Sequence, residues 1–307
     1  MKHLYIFTCT KPRLLSLFMS EATKIEAIIR LLDDPDDEVF EVVKKQLFVE
    51  GVSVIKQLEN TWENTTNEMI QRRVDMLTRE IQLKHVSKEI SKWAIIGKHD
   101  LLEASFWIAK YQYPSFDFVS YEFLLDQIIQ DVKEEMHDDN TPLEKITLIN
   151  HIFFQSQKFT RTFSTIHSPQ NFYINNILQT KKGNFFSLAL LYAGIGQRLG
   201  IPLMALNLPD NFAVAYLNPR YADLPIDEHS ALFYINPANK GAVFGRHEID
   251  DFLKKLKIKP ESYYYIPMHN IDAIILQLEY LILSYSKLGM DEKVADLKLI
   301  QNSIRNG

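Results

Sequence analysis

The sequence predicts an α+β protein that is mostly helical, with one buried helix packed on a small antiparallel sheet. Three observations support this class. Helical patterns of apolar residues fill most of residues 20–154, a helix without a polar face follows at 185–199, and three short strand-like runs come after it. Strands that are grouped together, and do not alternate with helices, are typical of α+β folds.

The N-terminal helices are predicted from apolar residues at intervals of three and four. Such residues occur at 25–32 and again at 39–47, with an acidic turn between the two runs. This spacing places the apolar side chains on one face of each helix. Gly51 ends the second helix and a third begins near Val54. Two or three short antiparallel helices of this kind resemble a HEAT-type hairpin, of which the sequence shows one unit.

Further helices are predicted between residues 61 and 154. Three of them are marked by apolar stripes, at residues 61–90, 101–111 and 123–132. The fourth begins with Thr141, Pro142 and Glu144, which have the arrangement of a capping box with proline at the first helical position. We expect that helix to continue to residue 154.

The central helix is predicted over residues 185–199. Apolar side chains cover nearly its whole circumference, and a helix without a polar face is buried in a globular protein. Asn184 is suited to cap its start, and Gly200 predicts its end. Gly194 and Gly196 are spaced somewhat like dinucleotide-binding glycines, but they lie inside a helix and do not follow a strand. We therefore interpret them as glycines that allow close helix packing.

Three strands are predicted after this helix, at residues 203–208, 212–217 and 231–235. Residues 209–211 have turn chemistry, so the first two strands are expected to form a hairpin. Apolar and β-branched residues in short runs between turns are typical of strands.

The C-terminal part is predicted to be helical. A helix at 249–256 and a tyrosine-rich connector at 260–267 precede two helices within 270–304, which are divided at Gly289. Tyr285 and Gly289, followed by Val294, look like half of a tetratricopeptide unit. A two-helix unit cannot cover its own apolar faces, so we expect these helices to pack on the rest of the chain.

We therefore divide the chain into four parts. These are an extension at 1–19 outside the fold, an N-terminal helical unit at 20–94, a central domain at 95–258, and a connector with a helical hairpin at 259–307. The short apolar stretch of the extension is followed by basic residues, which is the wrong flank for a signal peptide. We expect Met19 to be the start of the folded chain, and an export signal is the alternative.

The composition argues against several function classes. Lys and Arg number 34 and Asp and Glu number 39, which gives a net charge of −5 and argues against a dedicated nucleic-acid binder. No apolar run approaches the ~18 residues of a membrane span. Cys9 is the single cysteine, and the nine histidines are scattered. We expect no metal and no cofactor, and we expect a cytoplasmic protein that is a monomer or a weak dimer.

Two stretches of the sequence, residues 168–202 and residues 100–111, resemble the SirB-type branch of the transglutaminase-like superfamily. The matching segments are SPQNFYINNIL at 168–178, KKGNFFSLALLY at 181–192, RLGIP at 198–202, and DLLEASFWIAKY at 100–111. The turn LPDNF at 208–212 is similar to that branch's F-P-G-H-F, and FYINP at 233–237 is similar to its strand ending in D-P or N-P. The resemblance spans residues 95–255 and implies a papain-like core.

The resemblance also implies where a catalytic triad would lie. Active members place a cysteine at the start of the buried helix, where the helix dipole and a nearby histidine lower the pKa of the thiol. The histidine comes from one strand and an aspartate from the next. Matched by motif, these positions are Phe185, Asn211 and Asn236. Phenylalanine has no nucleophile and asparagine accepts no proton near neutral pH, so we expect no cysteine-dependent catalysis.

The predicted function is binding. We expect a non-catalytic scaffold or adaptor for an unknown protein or peptide, because the cleft of this superfamily holds an extended peptide. The candidate cleft residues are Asn171, Asn184, Phe185, Phe186, Asn211, Phe212 and Asn236. The alternative is a hydrolase or transferase that uses unrecognised residues of the same cleft, for which the polar candidates are Ser187, Asp227, His229 and His247. Buried ionisable groups with shifted pKa would favour the enzyme, and a cleft filled with aromatic rings would favour binding.

Overall fold

A computed structural model of the chain describes residues 21–96, 100–162, 168–221 and 224–305. The predicted extension at 1–19, with Cys9 and the alternative start Met19, lies outside the described residues. The helices of the described ranges are α1 (Glu21–Arg30), α2 (Asp37–Glu50), α3 (Ile55–Asn64), α4 (Glu68–Ile96), α5 (Leu101–Gln112), α6 (Phe118–Glu135), α7 (Pro142–Asn150), α8 (Ile174–Thr180), α9 (Phe185–Arg198), α10 (Arg246–Lys255), α11 (Asn270–Lys287) and α12 (Asp291–Arg305). The strands are β1 (Thr160–Arg161), β2 (Lys182–Gly183), β3 (Leu203–Leu208), β4 (Asn211–Leu217), β5 (Ala231–Asn236) and β6 (Ala242–Phe244).

The chain divides into two compact units between His85 and Val86. This division falls inside α4, and the predicted boundary between residues 94 and 95 falls inside the same helix. α4 contains no proline or glycine over its 29 residues, so nothing in its sequence interrupts the helix.

The N-terminal unit has its own hydrophobic core. Its helices bury four leucines completely: Leu32, Leu47, Leu58 and Leu77. Arg73 lies beside this core, where its guanidinium donates to the main-chain oxygen of Leu32 at 3.1 Å and lies 4.4 Å from the ring centre of Phe40. The predicted apolar stripes therefore form a core of their own, and the HEAT-like assignment stays a prediction.

A four-stranded antiparallel sheet with the order β3-β4-β5-β6 forms the centre of the C-terminal unit. Leu208 lies opposite Asn211, so β3 and β4 form the predicted hairpin. Asp210 in the turn has a φ of +50°, a left-handed conformation that aspartate tolerates better than most residues. The three long strands begin and end within one residue of their predicted bounds.

Several short elements differ from the prediction. β1 and β2 form a parallel pair of two residues each, and β6 has three residues, so none is long enough to show an alternating pattern. The helix predicted to reach residue 154 becomes π-helical at His151–Ser156. α8 lies in a segment for which the sequence predicts no helix. Its buried residues Ile174, Ile177 and Leu178 show that packing stabilises a helix too short to persist alone.

α9 is the central helix, as predicted. Every residue from 185 to 196 is buried. Asn184 Oδ1 accepts a hydrogen bond from the backbone nitrogen of Ser187 at 2.8 Å, and Ser187 Oγ accepts one from the backbone of Asn184 at 3.1 Å, which is a reciprocal capping box. A Cβ atom at Gly194 would lie 2.4 Å from Cδ2 of Leu102 on α5. The interpretation that this glycine allows close packing is therefore confirmed.

Arg198 at the end of α9 joins three helices. Its Nε donates to Asp100 Oδ2 at 2.8 Å, and its two terminal nitrogens donate to Glu122 at 2.6 and 3.0 Å. Burial disfavours the charged guanidinium, but the hydrogen bonds and charges of Glu122 and Asp100 outweigh this and raise the pKa of Arg198. Asp100 and Arg198 belong to two of the segments that carry the family resemblance, so these segments meet in this ion-pair network, and Glu122 joins it from α6.

The C-terminal helices pack against α5, which agrees with the expectation that they pack on the rest of the chain. The hydroxyl of Tyr111 donates to Asp296 Oδ2 at 2.7 Å. Gln277 is buried between α5 and the 3₁₀ turn before α8, where it accepts from Ser105 Oγ at 3.1 Å and donates to the main-chain oxygen of Phe172 at 2.7 Å. Buried polar groups that are satisfied in this way specify one docking position. The tetratricopeptide-like assignment stays a prediction.

The connector before α11 is held against the sheet and α10. Tyr265 is 2% exposed, its hydroxyl donates to the Asp250 carboxylate, and the guanidinium of Arg246 lies 4.0 Å from its ring centre. Met268 donates its backbone hydrogen to the main-chain oxygen of Ala205 at 2.8 Å, which continues the sheet by one bridge.

We expect the connector to resist limited proteolysis. Chymotrypsin cleaves after aromatic residues, and the connector offers Tyr263, Tyr264 and Tyr265, but cleavage requires local unfolding of the segment. Mass spectrometry after brief digestion of the full chain should show no cut between residues 260 and 269. The same digestion in urea is the control and should cut there. Rapid release of a tail that begins at residue 264, 265 or 266 would contradict the docked arrangement.

Candidate functional site

The three positions matched to the triad gather at one end of the sheet. The antiparallel register of β4 and β5 brings Asn211, at the start of β4, and Asn236, at the end of β5, to the same end. α9 packs on β4 and on the 3₁₀ turn after β5. The ring centres of Phe186 and Phe212 are 4.7 Å apart, so the start of α9, with Phe185, meets this end of the sheet.

An aromatic cluster fills the space at the start of α9. The cluster consists of Phe172, Phe185, Phe186, Phe212 and Tyr280. The ring centre of Tyr280 lies 5.1 Å from that of Phe186, 5.3 Å from that of Phe172 and 6.3 Å from that of Phe185. Phe185 is only 5% exposed. Tyr280 belongs to α11, so the C-terminal hairpin contributes a ring to the site that the sequence placed wholly in the central domain.

Asn211 and Asn236 make local contacts with the backbone. Asn211 Oδ1 accepts from the backbone nitrogen of Phe212 at 2.9 Å. Asn236 Oδ1 accepts from the backbone nitrogen of Asn239 at 3.1 Å and caps the 3₁₀ turn Pro237–Asn239. Both amide oxygens therefore stabilise the backbone at the end of the sheet.

Amide groups without partners surround the start of α9. Within the described ranges, neither Nδ2 of Asn184 nor Nδ2 of Asn171 has a hydrogen-bond partner, and both atoms are buried. Oδ1 of Asn175 on α8 is a third such atom. Buried polar atoms are almost always paired in native proteins. These three atoms therefore give this end of α9 an unused capacity for hydrogen bonding.

Of the four polar residues considered for a different enzyme, Asp227 and His229 are neighbours in one turn, whereas Ser187 and His247 lie in separate helices. Ser187 is buried in the capping box of α9. His229 is exposed, and its backbone nitrogen donates to the Asp227 carboxylate at 2.8 Å. His247 is exposed on α10, with its Nε2 3.7 Å from Asp251. In the part of the chain that the structure describes, no contact joins Ser187 to either histidine.

A groove of about 660 Å³ lies beside the aromatic cluster. It lies between the β3–β4 turn, the connector and the start of α11, and we call it the tyrosine groove because Tyr263, Tyr264 and Tyr280 line it. Asp210 and Asp272 also line it. Burial, and after it the negative charge of Asp210, raises the pKa of the Tyr280 hydroxyl. Tyr280 thus belongs to both the cluster and the groove.

No motif in the sequence marks Tyr280 or Asp272 as a site residue, and Asp210 is predicted only as a turn residue. α11 has a broad apolar stripe, and Tyr280 borders it. Its place at the edge of this stripe is the one feature of the sequence that predicts a packed ring at Tyr280. Which element the ring contacts depends on how the hairpin docks, and no local pattern carries that information.

Two further features bear on function. Across residues 21–96, 100–162, 168–221 and 224–305, no group of three or more His, Cys, Asp or Glu side chains is arranged to hold a metal ion. The helices of the same ranges include none with the length and hydropathy needed to cross a bilayer.

Known proteins resemble parts of this chain. A UPF0162 protein of Xylella fastidiosa (strain Temecula1) is 26% identical over 149 residues, which cover 48% of this chain and 50% of that protein. UPF0162 protein BU173 of Buchnera aphidicola is 27% identical over 140 residues, 45% of this chain and 48% of that protein. F-box only protein 21 of Mus musculus is 28% identical over 68 residues, 22% of this chain and 11% of that protein. The chain spans about half the length of the UPF0162 relatives, and no solved structure matches it.

The family comparison agrees with the arrangement of α9 on its sheet. A family model described as the transglutaminase-like superfamily matches residues 120–277, slightly more than half of the chain. The matched range contains α9, all four strands of the sheet and the first part of α11, and it therefore includes the aromatic rings around Phe185 except for the last, Tyr280. The chain belongs to the transglutaminase-like superfamily.

Proposed function

We propose that this chain is a non-catalytic, SirB-type member of the superfamily that acts as a protein- or peptide-binding scaffold or adaptor. One observation carries the proposal. At the position that the motif match assigns to the nucleophile, Phe185 is buried and packs edge-on against Tyr280. A benzyl side chain supplies neither a thiolate nor a proton acceptor.

The other two positions support the same proposal. The mechanism of active members needs a base that takes the proton of the thiol and a carboxylate that orients that base. The amides of Asn211 and Asn236 offer neither, and their oxygens already accept from the backbone. A change at one position could be compensated by a neighbour, whereas a change at all three removes each part of the mechanism.

Binding is supported by the hydrogen-bonding capacity of the same region. Asn171 is half-buried, and its amide nitrogen is unpaired among the described residues. We propose that this side chain turns outward when a peptide binds, so that its amide donates to a main-chain carbonyl oxygen of the peptide. The tyrosine groove adjoins the cluster through Tyr280 and supplies a concave surface with aromatic walls, which is typical of peptide-binding sites.

The single cysteine of the sequence supports a reducing compartment such as the cytoplasm, where we propose a monomer or a weak dimer.

The test measures turnover and binding with the full chain. Glutamine-containing peptides are incubated with the protein and a primary amine, and mass spectrometry detects hydrolysis, deamidation and amine incorporation. We expect none above buffer, with or without iodoacetamide. Fluorescence anisotropy with labelled nonapeptides should show saturable binding. Asn171→Ala should weaken it about three- to tenfold, as expected for one lost hydrogen bond, while Asn302→Ala on the exposed side of α12 should leave it unchanged.

Three outcomes would contradict this proposal. Turnover that Asn211→Ala or Asn236→Ala abolishes would show that these positions are catalytic. Turnover that survives those changes but is lost in His229→Ala would support the alternative, a hydrolase or transferase with other residues. A protein that binds none of the peptides would overturn the binding role.

A further inference from the structure

The tyrosine groove has an excess of negative charge. Asp210 and Asp272 line it, and no ion pair neutralises either carboxylate within the described ranges. The described residues that line the groove include no lysine and no arginine. His269 is the remaining ionisable residue of the wall apart from the tyrosines. An anionic ligand would therefore meet repulsion here, and a cation would meet attraction.

The walls of the groove suit a cation with an aliphatic stem. The rings of Tyr263 and Tyr264 are 4.1 Å apart between centres, and Tyr263 is 59% exposed. The faces of such rings attract ammonium and guanidinium groups. Ile226 and Ile266 add apolar surface, against which the methylene groups of a long basic side chain can pack.

The start of α11 does not reverse this charge. A helix N-terminus carries a partial positive charge that favours anions. Asp272 stands in the first turn of α11, where its carboxylate offsets the partial positive charge of the helix N-terminus. The second carboxylate, Asp210, comes from the β3–β4 turn and stays available to a ligand.

The position and size of the groove favour a side chain of a polypeptide over a small free amine. Asp210 directly precedes Asn211, and Tyr280 joins the groove to the aromatic cluster. A volume of about 660 Å³ is much more than one ammonium group fills. A peptide that lies along the cluster could therefore place a basic side chain in the groove.

We infer that the tyrosine groove binds a lysine or arginine side chain of the partner segment. This inference rests on the proposed peptide-binding function and specifies the chemistry of the partner. The Asp210 carboxylate pairs with the cationic head, Asp272 adds to the negative charge of the groove, the tyrosine rings cover the head, and the isoleucines contact its stem.

The test compares four libraries of labelled nonapeptides with the full chain. The central residue is arginine, lysine, citrulline or glutamate, and all other positions are uncharged. Fluorescence anisotropy should show that the arginine and lysine libraries bind about tenfold more tightly than the citrulline library, in which a neutral urea group of similar shape replaces the guanidinium. Raising NaCl from about 50 to about 500 mM should weaken binding of the arginine library and leave the citrulline library nearly unchanged.

Variants assign the preference to the groove. Asp210→Asn with Asp272→Asn should reduce the affinity for the arginine library about tenfold, and asparagine is compatible with the positive φ of residue 210. The matched control replaces the exposed loop residues Asp138 and Asp139 by asparagine and should change nothing. Tyr263→Leu should weaken arginine binding about threefold, whereas Tyr263→Phe retains the ring and the affinity.

The outcomes separate this inference from the proposed function. Equal binding of arginine and citrulline libraries, a preference for glutamate, or full affinity in the Asp210/Asp272 double variant would overturn the inference and leave peptide binding intact. Absence of binding by all four libraries would overturn both. A tenfold preference that only the groove variants remove would support both.

Discussion

Replacement of Leu191 by alanine is expected to lower the free energy of unfolding of the C-terminal unit by about 2–5 kcal/mol. Leu191 lies in the middle of α9 and is fully buried. The substitution loses the favourable free energy of transferring the isobutyl group from water into the core. It also leaves a cavity, which the well-packed helix and sheet close only partly. Leu190 is 3% exposed, and the same substitution there should have an effect in the same range.

The measurement is urea denaturation of the full chain followed by tryptophan fluorescence. A Trp62→Phe background restricts the signal to Trp93 and Trp107, which both belong to the C-terminal unit. Leu283→Ala is the matched control, because that leucine is 48% exposed on α11, and we expect a change of at most about 0.5 kcal/mol. Unchanged stability in both α9 variants would contradict the central position of this helix.

Replacement of Arg198 by methionine is expected to cost about 3 kcal/mol of stability. Methionine retains most of the volume of the side chain but leaves Asp100 and Glu122 without their cation. An unpaired, partly buried charge costs more than the original pair contributed. The two carboxylate side chains are 31% and 32% exposed, so water reaches them and we expect the low end of the range for buried pairs.

The control is Arg305→Met at the end of α12. That arginine lies 3.6 Å from Glu279, and both side chains are about half exposed, so its loss should cost less than about 1 kcal/mol. A triple variant that combines Arg198→Met with Asp100→Asn and Glu122→Gln removes both unpaired charges and should recover part of the stability. Equal stability of Arg198→Met and Arg305→Met would show that the network does not hold α5, α6 and α9 together.

Much of the fold could be predicted because its signals are local. The apolar circumference of α9, its cap at Asn184 and its end at Gly200 depend on residues within one or two turns of each other. The hairpin of β3 and β4 likewise depends on the turn residues between two apolar runs. α8 and β6 escaped prediction because each is short and is stabilised by neighbours that are distant in sequence.

The residues of the candidate site can be named from the sequence, whereas their surroundings cannot. A motif match is enough to name Phe185, Asn211 and Asn236, because each lies at a fixed offset from a pattern in the sequence. The amide oxygens of the two asparagines contact backbone groups one and three residues away, which a turn pattern can also suggest. Tyr280 is 95 positions from Phe185, and no local pattern relates the two.

The sequence by itself determined the identity of the central helix, the strands that support it and the phenylalanine at the position that the motif match assigns to the nucleophile. The reason is that helix periodicity, capping and side-chain chemistry are properties of neighbouring residues. The tertiary structure alone decided that α11 brings Tyr280 against Phe185 and Phe186, and that Asp210 and Asp272 line the same groove. Docking positions of this kind depend on shape and on buried hydrogen bonds between distant segments, such as those of Gln277, and these exist only once the chain has folded.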